Sequence, residues 1–350
     1  MATVAVVGAG IAGLTCGHRL QTAEHQVIWL EKSRGVGGRM ATRRLGNGSW
    51  ADHGLPYWPA SESKLQALTQ ELKQQGILST WSAQGFFWQG KLLPTPGMAY
   101  CTEIGVNAIA KYLAQSAVIQ RQQQVTTLAK IDTGWQLSTS GPEKAISQIN
   151  ADAIVLAIPA PQIFPLVAPL DRQTATRLSD VEYAPCLSLM ATHGDLPEVP
   201  LLNHQQGWHI TAEHPIISWL SLDSSKPKAH SNVSTVVIHS QADFAARYLE
   251  QLDALKDNEA ERTQLQQTTI NQLLNATVDI VPGLNQPQQY RLQRWRYSVV
   301  TQPYSQPLFQ TPWPTLVGCG DWCDTGETSN LATAYISGIA AAEHIQRTIA

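Results

Sequence analysis

The chain has 350 residues, 43% of them apolar and 15% charged, with a formal net charge of −3. That length predicts two domains or one large α/β unit. The near-balanced charge excludes a broad basic face for nucleic acid, and the apolar content excludes a disordered chain.

Five scattered cysteines with no Cys-x-x-Cys pair predict reduced thiols, with neither a disulfide framework nor a zinc site. The first residues are apolar but lack a basic start and a cleavage site, and no apolar run is long enough to cross a bilayer. These features predict a cytoplasmic protein.

Taken in chain order, Thr3 to Val7 reads as a buried parallel strand, Ile11 to Gln21 as a helix, and Val27 to Leu30 as a second strand ending on Glu31. This is a βαβ unit. Ser63 to Gln75 reads as an amphipathic helix, and Phe86-Phe87-Trp88 followed by Gly90 as a hairpin. A helix over 107–117 and strands over 124–128 and 134–138 follow, and then a buried strand from Ala151 that proline stops at 159. Short β-like runs at Leu187–Ala191, Ile216–Leu222 and Val233–His239 precede a long polar helix, from Ala242 to Leu274 with a break near Asp257. The tail returns to α/β grammar with a strand at 315–317, a loop from Gly318 to Asn330 and a helix from Leu331.

Between the first strand and helix stands Gly8-Ala9-Gly10-Ile11-Ala12-Gly13, which matches the dinucleotide fingerprint G-x-G-x-x-G. Gly8 permits the tight turn, Gly10 lets backbone approach a diphosphate, and Gly13 lets helix and strand pack closely. The helix N-terminus offers N–H groups to the anion, and Glu31 stands where a carboxylate can accept from a ribose diol. A second glycine cluster, Arg34-Gly35-Val36-Gly37-Gly38-Arg39-Met40, adds donors and positive charge beside the same diphosphate.

Here the chain resembles the two-dinucleotide-binding-domain flavoproteins, and among them the renalase-like branch of the flavin-containing amine oxidases. The resemblance continues through Ala51-Asp52-His53-Gly54, where Leu55-Pro56 departs from the usual Ala-Gln, and through the strand ending at Pro159-Ala160-Pro161. It includes Gln293-Arg294-Trp295-Arg296-Tyr297-Ser298 and closes with Gly318-Cys319-Gly320-Asp321 and Ser337-Gly338. It implies an α/β fold of p-hydroxybenzoate-hydroxylase-like, Rossmann type, with an FAD-binding domain at 1–60, 96–162 and 286–350. An interleaved α+β substrate domain takes 61–95 and 163–285.

The resemblance also implies non-covalent FAD held by Gly8, Gly10, Ile11, Ala12, Gly13, Glu31, Lys32, Gly38, Arg39, Met40, His53, Gly54, Val125, Gly320, Asp321, Leu331 and Ala332. Val125 would lie near the adenine and Asp321 near the ribityl or diphosphate. The helix beginning at Leu331 would point its N-terminus at the flavin ring.

Five histidines, His204, His209, His214, His230 and His239, crowd one stretch in a spacing that suits no metal pattern. His209 and His239 stand on β-like runs that resemble pocket-lining segments of the family. Tyr57, Trp219, Trp295 and Trp322 are aromatic candidates to wall a planar substrate. The resemblance implies Trp295, His239, His209 and Trp219 as substrate-site residues. Strand alternation sends Arg294 and Arg296 to the face opposite Trp295, either to attract a phosphate-bearing substrate or as surface charges.

The reading that follows is an oxidase that takes hydride from a dihydropyridine, such as an off-position dihydro-NAD(P) isomer. Electrons would pass to O2, giving H2O2, without any metal. An amine oxidase and a low-turnover flavin-binding protein are the alternatives. The implied partners are a small dihydronicotinamide-type substrate and O2, with no nucleic acid and no membrane, in a monomer or homodimer.

Overall fold

The computed structural model describes residues 1–350 except 47, 60–61, 97–98, 143–145, 197, 200, 204–205, 228–232 and 325–329. His204, His230 and residues 325–329 of the expected loop therefore lie outside the described residues.

Strand β1 (Thr3–Val7), helix α1 (Ile11–Thr22) and strand β2 (Gln26–Glu31) form the expected βαβ unit. They lie in a six-stranded sheet ordered Val118–Arg121, β2, β1, Ala153–Leu156, Leu316–Gly318 and Phe309–Gln310. Every pairing is parallel except the last. A parallel sheet buried on both faces needs apolar residues on both, and β1 supplies them. Val4 and Val6 face α1 and the C-terminal helix Asn330–Ile349, whereas Ala5 and Val7 face a second core around Trp135 and Leu137. The chain runs from β1 to β2 on one side and later to Ala153–Leu156 on the other. The strand order thus reverses at β1, and a crevice opens where ligands bind in such sheets.

Two close approaches fix the helices over this sheet. A Cβ at Gly338 would collide with the carbonyl oxygen of Ala12, so the C-terminal helix crosses α1 at near backbone contact. A Cβ at Gly17 would enter the Trp29 ring, whose indole donates to the Gly13 carbonyl at 3.0 Å.

The second large sheet has seven strands, in the order Gln289–Gln302, Glu182–His193, Ser234–Ser240, Ile217–Leu222, Trp208–Ala212, Gln84–Trp88 and Leu92–Thr95. All pairings are antiparallel except the one between Trp208–Ala212 and Gln84–Trp88. Leu187, Leu189, Ile238, Leu220 and Ile210 on one face form a core with Phe244, Tyr248 and Leu273 from two helices, Ala242–Ala254 and Glu259–Thr277. Each such buried side chain contributes roughly 1.5–3 kcal/mol of burial. The two helices replace the single broken helix read from sequence, and Asn258 caps the second by accepting the Glu261 N–H at 3.3 Å.

Two segments depart from the expected division of the chain. Strand Gln289–Gln302, placed with the FAD-binding part by a boundary at 286, hydrogen-bonds along Glu182–His193 as the edge of the seven-stranded sheet. Its mixture of polar and aromatic residues suits an edge strand with one face toward a site. Leu65, Leu68 and Leu72, placed with the substrate part, pack into the core beside α1. Their i, i+3, i+7 spacing puts them on one face, across a 3₁₀ turn (Ser63–Leu65) and the helix Gln66–Gln74.

Candidate active site

The crevice at the end of β1 is built from glycines that no other residue could replace. Gly8 has φ +104°, and a Cβ there would strike the Ala157 carbonyl and Ile158. A Cβ at Gly13 would strike the Gly8 carbonyl. At Gly10, which begins α1, no side chain caps the helix and the space where a Cβ would stand is open. The helix N–H groups therefore face a gap that an anion fits.

Glu31 is buried and holds the turn, accepting the N–H of Ala9 at 2.9 Å and of Ser33 at 2.7 Å. The second glycine cluster folds against the first. The Gly37 N–H donates to the Ala9 carbonyl at 2.8 Å, and a Cβ on Gly38 (φ +56°) would find Gly10 Cα as its nearest neighbour, at 3.6 Å. Ile11, Ala12 and Met40 are buried, and Val125 lies in the core on the other face of the sheet. The neighbouring Gln123 N–H donates to the Glu31 carbonyl at 2.9 Å. Lys32 turns outward to Gln162 at 2.9 Å.

Arg39 and Asp321 bridge the two ends of the chain. The guanidinium donates to both carboxylate oxygens at 2.6 Å, and Nη1 donates also to the Ser298 carbonyl at 2.8 Å. Asp321, expected to lie toward a cofactor, thus gives both oxygens to Arg39. The Gly320 N–H donates to Ser337 Oγ at 3.1 Å, tying this loop to the C-terminal helix, where Leu331 is half-buried and Ala332 fully buried. Trp322 is not a site residue. It is 1% exposed, packs on Phe309 and Tyr304, and donates its indole N–H to the Ile158 carbonyl at 3.1 Å.

On the seven-stranded sheet, strand register brings four expected residues to one face. Trp295 pairs with Cys186, and two residues on, Ser188 pairs with His239, which pairs with Trp219. Trp219 pairs with Thr211, two residues from His209. Since alternate residues share a face, Trp295, His239, Trp219 and His209 all project away from the helix-covered side.

Strands β3 (Thr42–Gly46) and β4 (Ser49–Asp52) form a hairpin over this face, where Ala51 packs on Met190 and Val237. The chain then delivers His53 and Gly54 to it. The Trp295 indole donates to the His53 carbonyl at 2.7 Å, and the two rings stack with centroids 5.4 Å apart. A Cβ at Gly54 would strike the Arg39 carbonyl and come to 3.4 Å from Trp295. Across the face, His209 stacks on Trp219 at 4.9 Å, with Tyr57 at 5.5 Å and Trp81 at 5.6 Å.

The face is polar yet uncharged. Burial lowers the imidazoles of His53, His209 and His239 to about 4, with the charges of Arg43 acting on His53 and of His53 and Lys226 on His239. His53 Nδ1, His209 Nδ1, His239 Nε2, Trp219 Nε1 and Ser188 Oγ have no partner within the protein. Unsatisfied buried donors and acceptors are costly, and five facing one region mark where a ligand or water completes them.

Sequence reasoning missed the ion cluster beneath this face. Lys226 Nζ reaches Asp52 at 2.9 Å, Asp223 at 3.0 Å and the Pro56 carbonyl at 2.7 Å. The Asp52 N–H donates to Asp223 at 2.7 Å, and Lys226 lies over the rings of Trp50 and Trp81. Burial pushes the Asp223 carboxyl above its ordinary range; Lys226 pulls it down and Asp52 pushes it up again. The one local signal was Asp223 and Lys226 three apart directly after an apolar strand.

Comparison with known proteins agrees with this architecture. Residues 6–72 match the profile of an NAD(P)-binding Rossmann-like domain, and residues 81–346 match that of the flavin containing amine oxidoreductases. The chain belongs to the flavin-containing amine oxidoreductase family. Within it, the chain is similar to the renalase of Mus musculus, with 27% identity over 325 residues, 87% of either chain. Its fold resembles that of a putrescine oxidase solved with putrescine (TM-score 0.71, 13% identity, 99% of both chains). It equally resembles the cyclohexylamine oxidase of Brevibacterium oxydans (TM-score 0.71, 11% identity, 99% of both chains). The protein is therefore a renalase-like flavin oxidoreductase with an α/β Rossmann-type cofactor domain. Among the described residues no helix is long and apolar enough to cross a membrane.

Proposed function

We propose that the chain is an FAD-dependent oxidase acting on a dihydropyridine of the dihydronicotinamide type, such as an off-position dihydro-NAD(P) isomer. One observation carries this reading: the face bearing Trp295, Trp219, His209 and His239 is aromatic, polar and uncharged, and the nearest carboxylates, Asp52 and Asp223, are bound by Lys226. A planar uncharged donor suits such a face.

The glycine crevice fits FAD. The open space at Gly10 and the uncapped start of α1 (Ile11, Ala12, Gly13) suit its diphosphate, with Gly8 and Gly38 shaping the turns. Glu31 would accept from the ribose. Arg39, Met40, His53, Gly54, Gly320, Asp321, Leu331 and Ala332 would line the remainder, held non-covalently. When bound, the flavin supplies a hydride acceptor and a route for two electrons to O2, with NAD(P)⁺ and H2O2 as products.

The chain's own residues orient the donor and exclude water. Hydride leaves a dihydropyridine without prior loss of a proton, so no strong base is required. As hydride departs, positive charge grows on the donor ring. Neutral imidazoles do not oppose that charge, and indole faces favour it.

The test is anaerobic titration of the FAD-loaded protein with dihydro-NAD isomers and with amines, followed by admission of air. Rapid bleaching of the flavin band by the isomers, with H2O2 on reoxidation, supports the reading. The solved relatives and the ring cluster of Tyr57, Trp81 and Trp219 favour an amine oxidase as second reading. Faster bleaching by simple amines would establish that one instead. Bleaching by light but by no organic donor would point to a low-turnover flavin protein.

A further inference from the structure

Arg294 and Arg296 are the arginines that sequence suggests for a phosphate-bearing substrate, but the edge strand turns them away from Trp295. Arg296 is also bound to Asp253 through two hydrogen bonds, at 2.8 and 3.0 Å. The other face of the same strand carries Arg291, Gln293 and Trp295 in succession, paired with Met190, Ser188 and Cys186. Met190 is the residue on which Ala51 of the β3–β4 hairpin rests, and Arg43 stands opposite Ala51 in that hairpin. Arg43 therefore emerges beside the edge strand and donates to Gln293 Oε1 at 3.2 Å. It is close enough to His53, which stacks on Trp295, for its charge to act on that imidazole.

Arg43 and Arg291 are both exposed, and among the described residues neither pairs with a carboxylate. Two unneutralised guanidinium groups thus flank one gap, between the hairpin and the edge strand, that leads to Trp295. Guanidinium forks match phosphate oxygens, and such a pair gains most from an anion seated between them.

We infer that Arg43 and Arg291 form a subsite for the phosphate-bearing tail of the donor whose ring lies against Trp295. The inference rests on the dihydropyridine reading and narrows it. The donor is a nucleotide, its tail leaving the site over Gln293, and not a bare ring or riboside.

The experiment compares a dihydronicotinamide mononucleotide with the matching phosphate-free riboside as anaerobic donors to the FAD-loaded enzyme. Calorimetric binding of the oxidised mononucleotide and oxidised riboside gives a second readout, independent of turnover. Variants Arg43→Gln, Arg291→Gln and the control Arg294→Gln are tested at low and high salt. The expected result is that each of the first two weakens mononucleotide binding by roughly threefold to tenfold and leaves the riboside and the limiting rate unchanged. Salt should erase the advantage of the phosphate, and the control should match the parent. Equal binding of mononucleotide and riboside by the parent, or equal loss of both in the variants, overturns the subsite. If neither donor bleaches the flavin, the functional reading fails, and calorimetry still decides whether the arginines hold phosphate.

Discussion

Lys226 and Asp52 lie 174 residues apart in sequence yet form a 2.9 Å ion pair with side-chain exposures of 0% and 1%. Asp223 completes the cluster at 3.0 Å. Removing the cation would leave two carboxylates closed away from water. Lys226→Met is therefore expected to lower the unfolding free energy by about 3–5 kcal/mol in urea denaturation of the FAD-loaded protein. A loss below about 1 kcal/mol would show that the cluster is relaxed or hydrated.

Protonation of the buried imidazoles sets an acid limit. His53, His209 and His239 are held at about 4 against an ordinary 6.5. Between these values the unfolded chain binds more protons than the folded one, so stability is full above about 6.5 and is lost as pH falls toward about 4. Melting temperature should decline across that window, and His209→Gln or His239→Gln should each make the decline shallower. A flat melting profile from pH 6.5 to 4 would contradict the burial of these rings.

Trp295→Phe keeps a ring against His53 but removes the indole N–H that holds the His53 carbonyl at 2.7 Å. FAD content should be unchanged, while flavin reduction by a dihydropyridine slows roughly tenfold through poorer positioning. Loss of the flavin itself would instead show that Trp295 serves the cofactor.

Arg39→Lys replaces a two-pronged contact with Asp321 by a single ammonium. A lysine cannot bond both carboxylate oxygens and the Ser298 carbonyl in the same fork. FAD affinity, measured by release of flavin fluorescence on dilution, should fall by roughly tenfold. Unchanged retention would mean that the pair serves only to join the two sheets.

Features encoded within a few residues of one another were legible in sequence. The strand, glycine turn, helix and acidic strand end of residues 3–31 fold as their patterns predict, because each step is local. Trp295, His239, Trp219 and His209 were nominated by resemblance alone. Their shared face is a property of register across five strands, which no single segment encodes. Trp322 was misjudged because it adjoins Asp321, and adjacent side chains in an extended loop point to different sides. Arg43 and Lys226 were invisible for the same reason as Asp223: their partners lie on strands or loops far away in the chain.

Three contacts described separately span the gap between the two large sheets: Arg39 to the Ser298 carbonyl, Trp295 to the His53 carbonyl, and Lys226 to Asp52. They are spread across the gap, so swinging the halves apart would break a charged pair and two short hydrogen bonds together. Such a molecule is riveted, not hinged. Traffic into and out of it must then proceed by rearrangement of individual side chains at the rim, on the fast timescale of rotamer exchange, with no opening of the body.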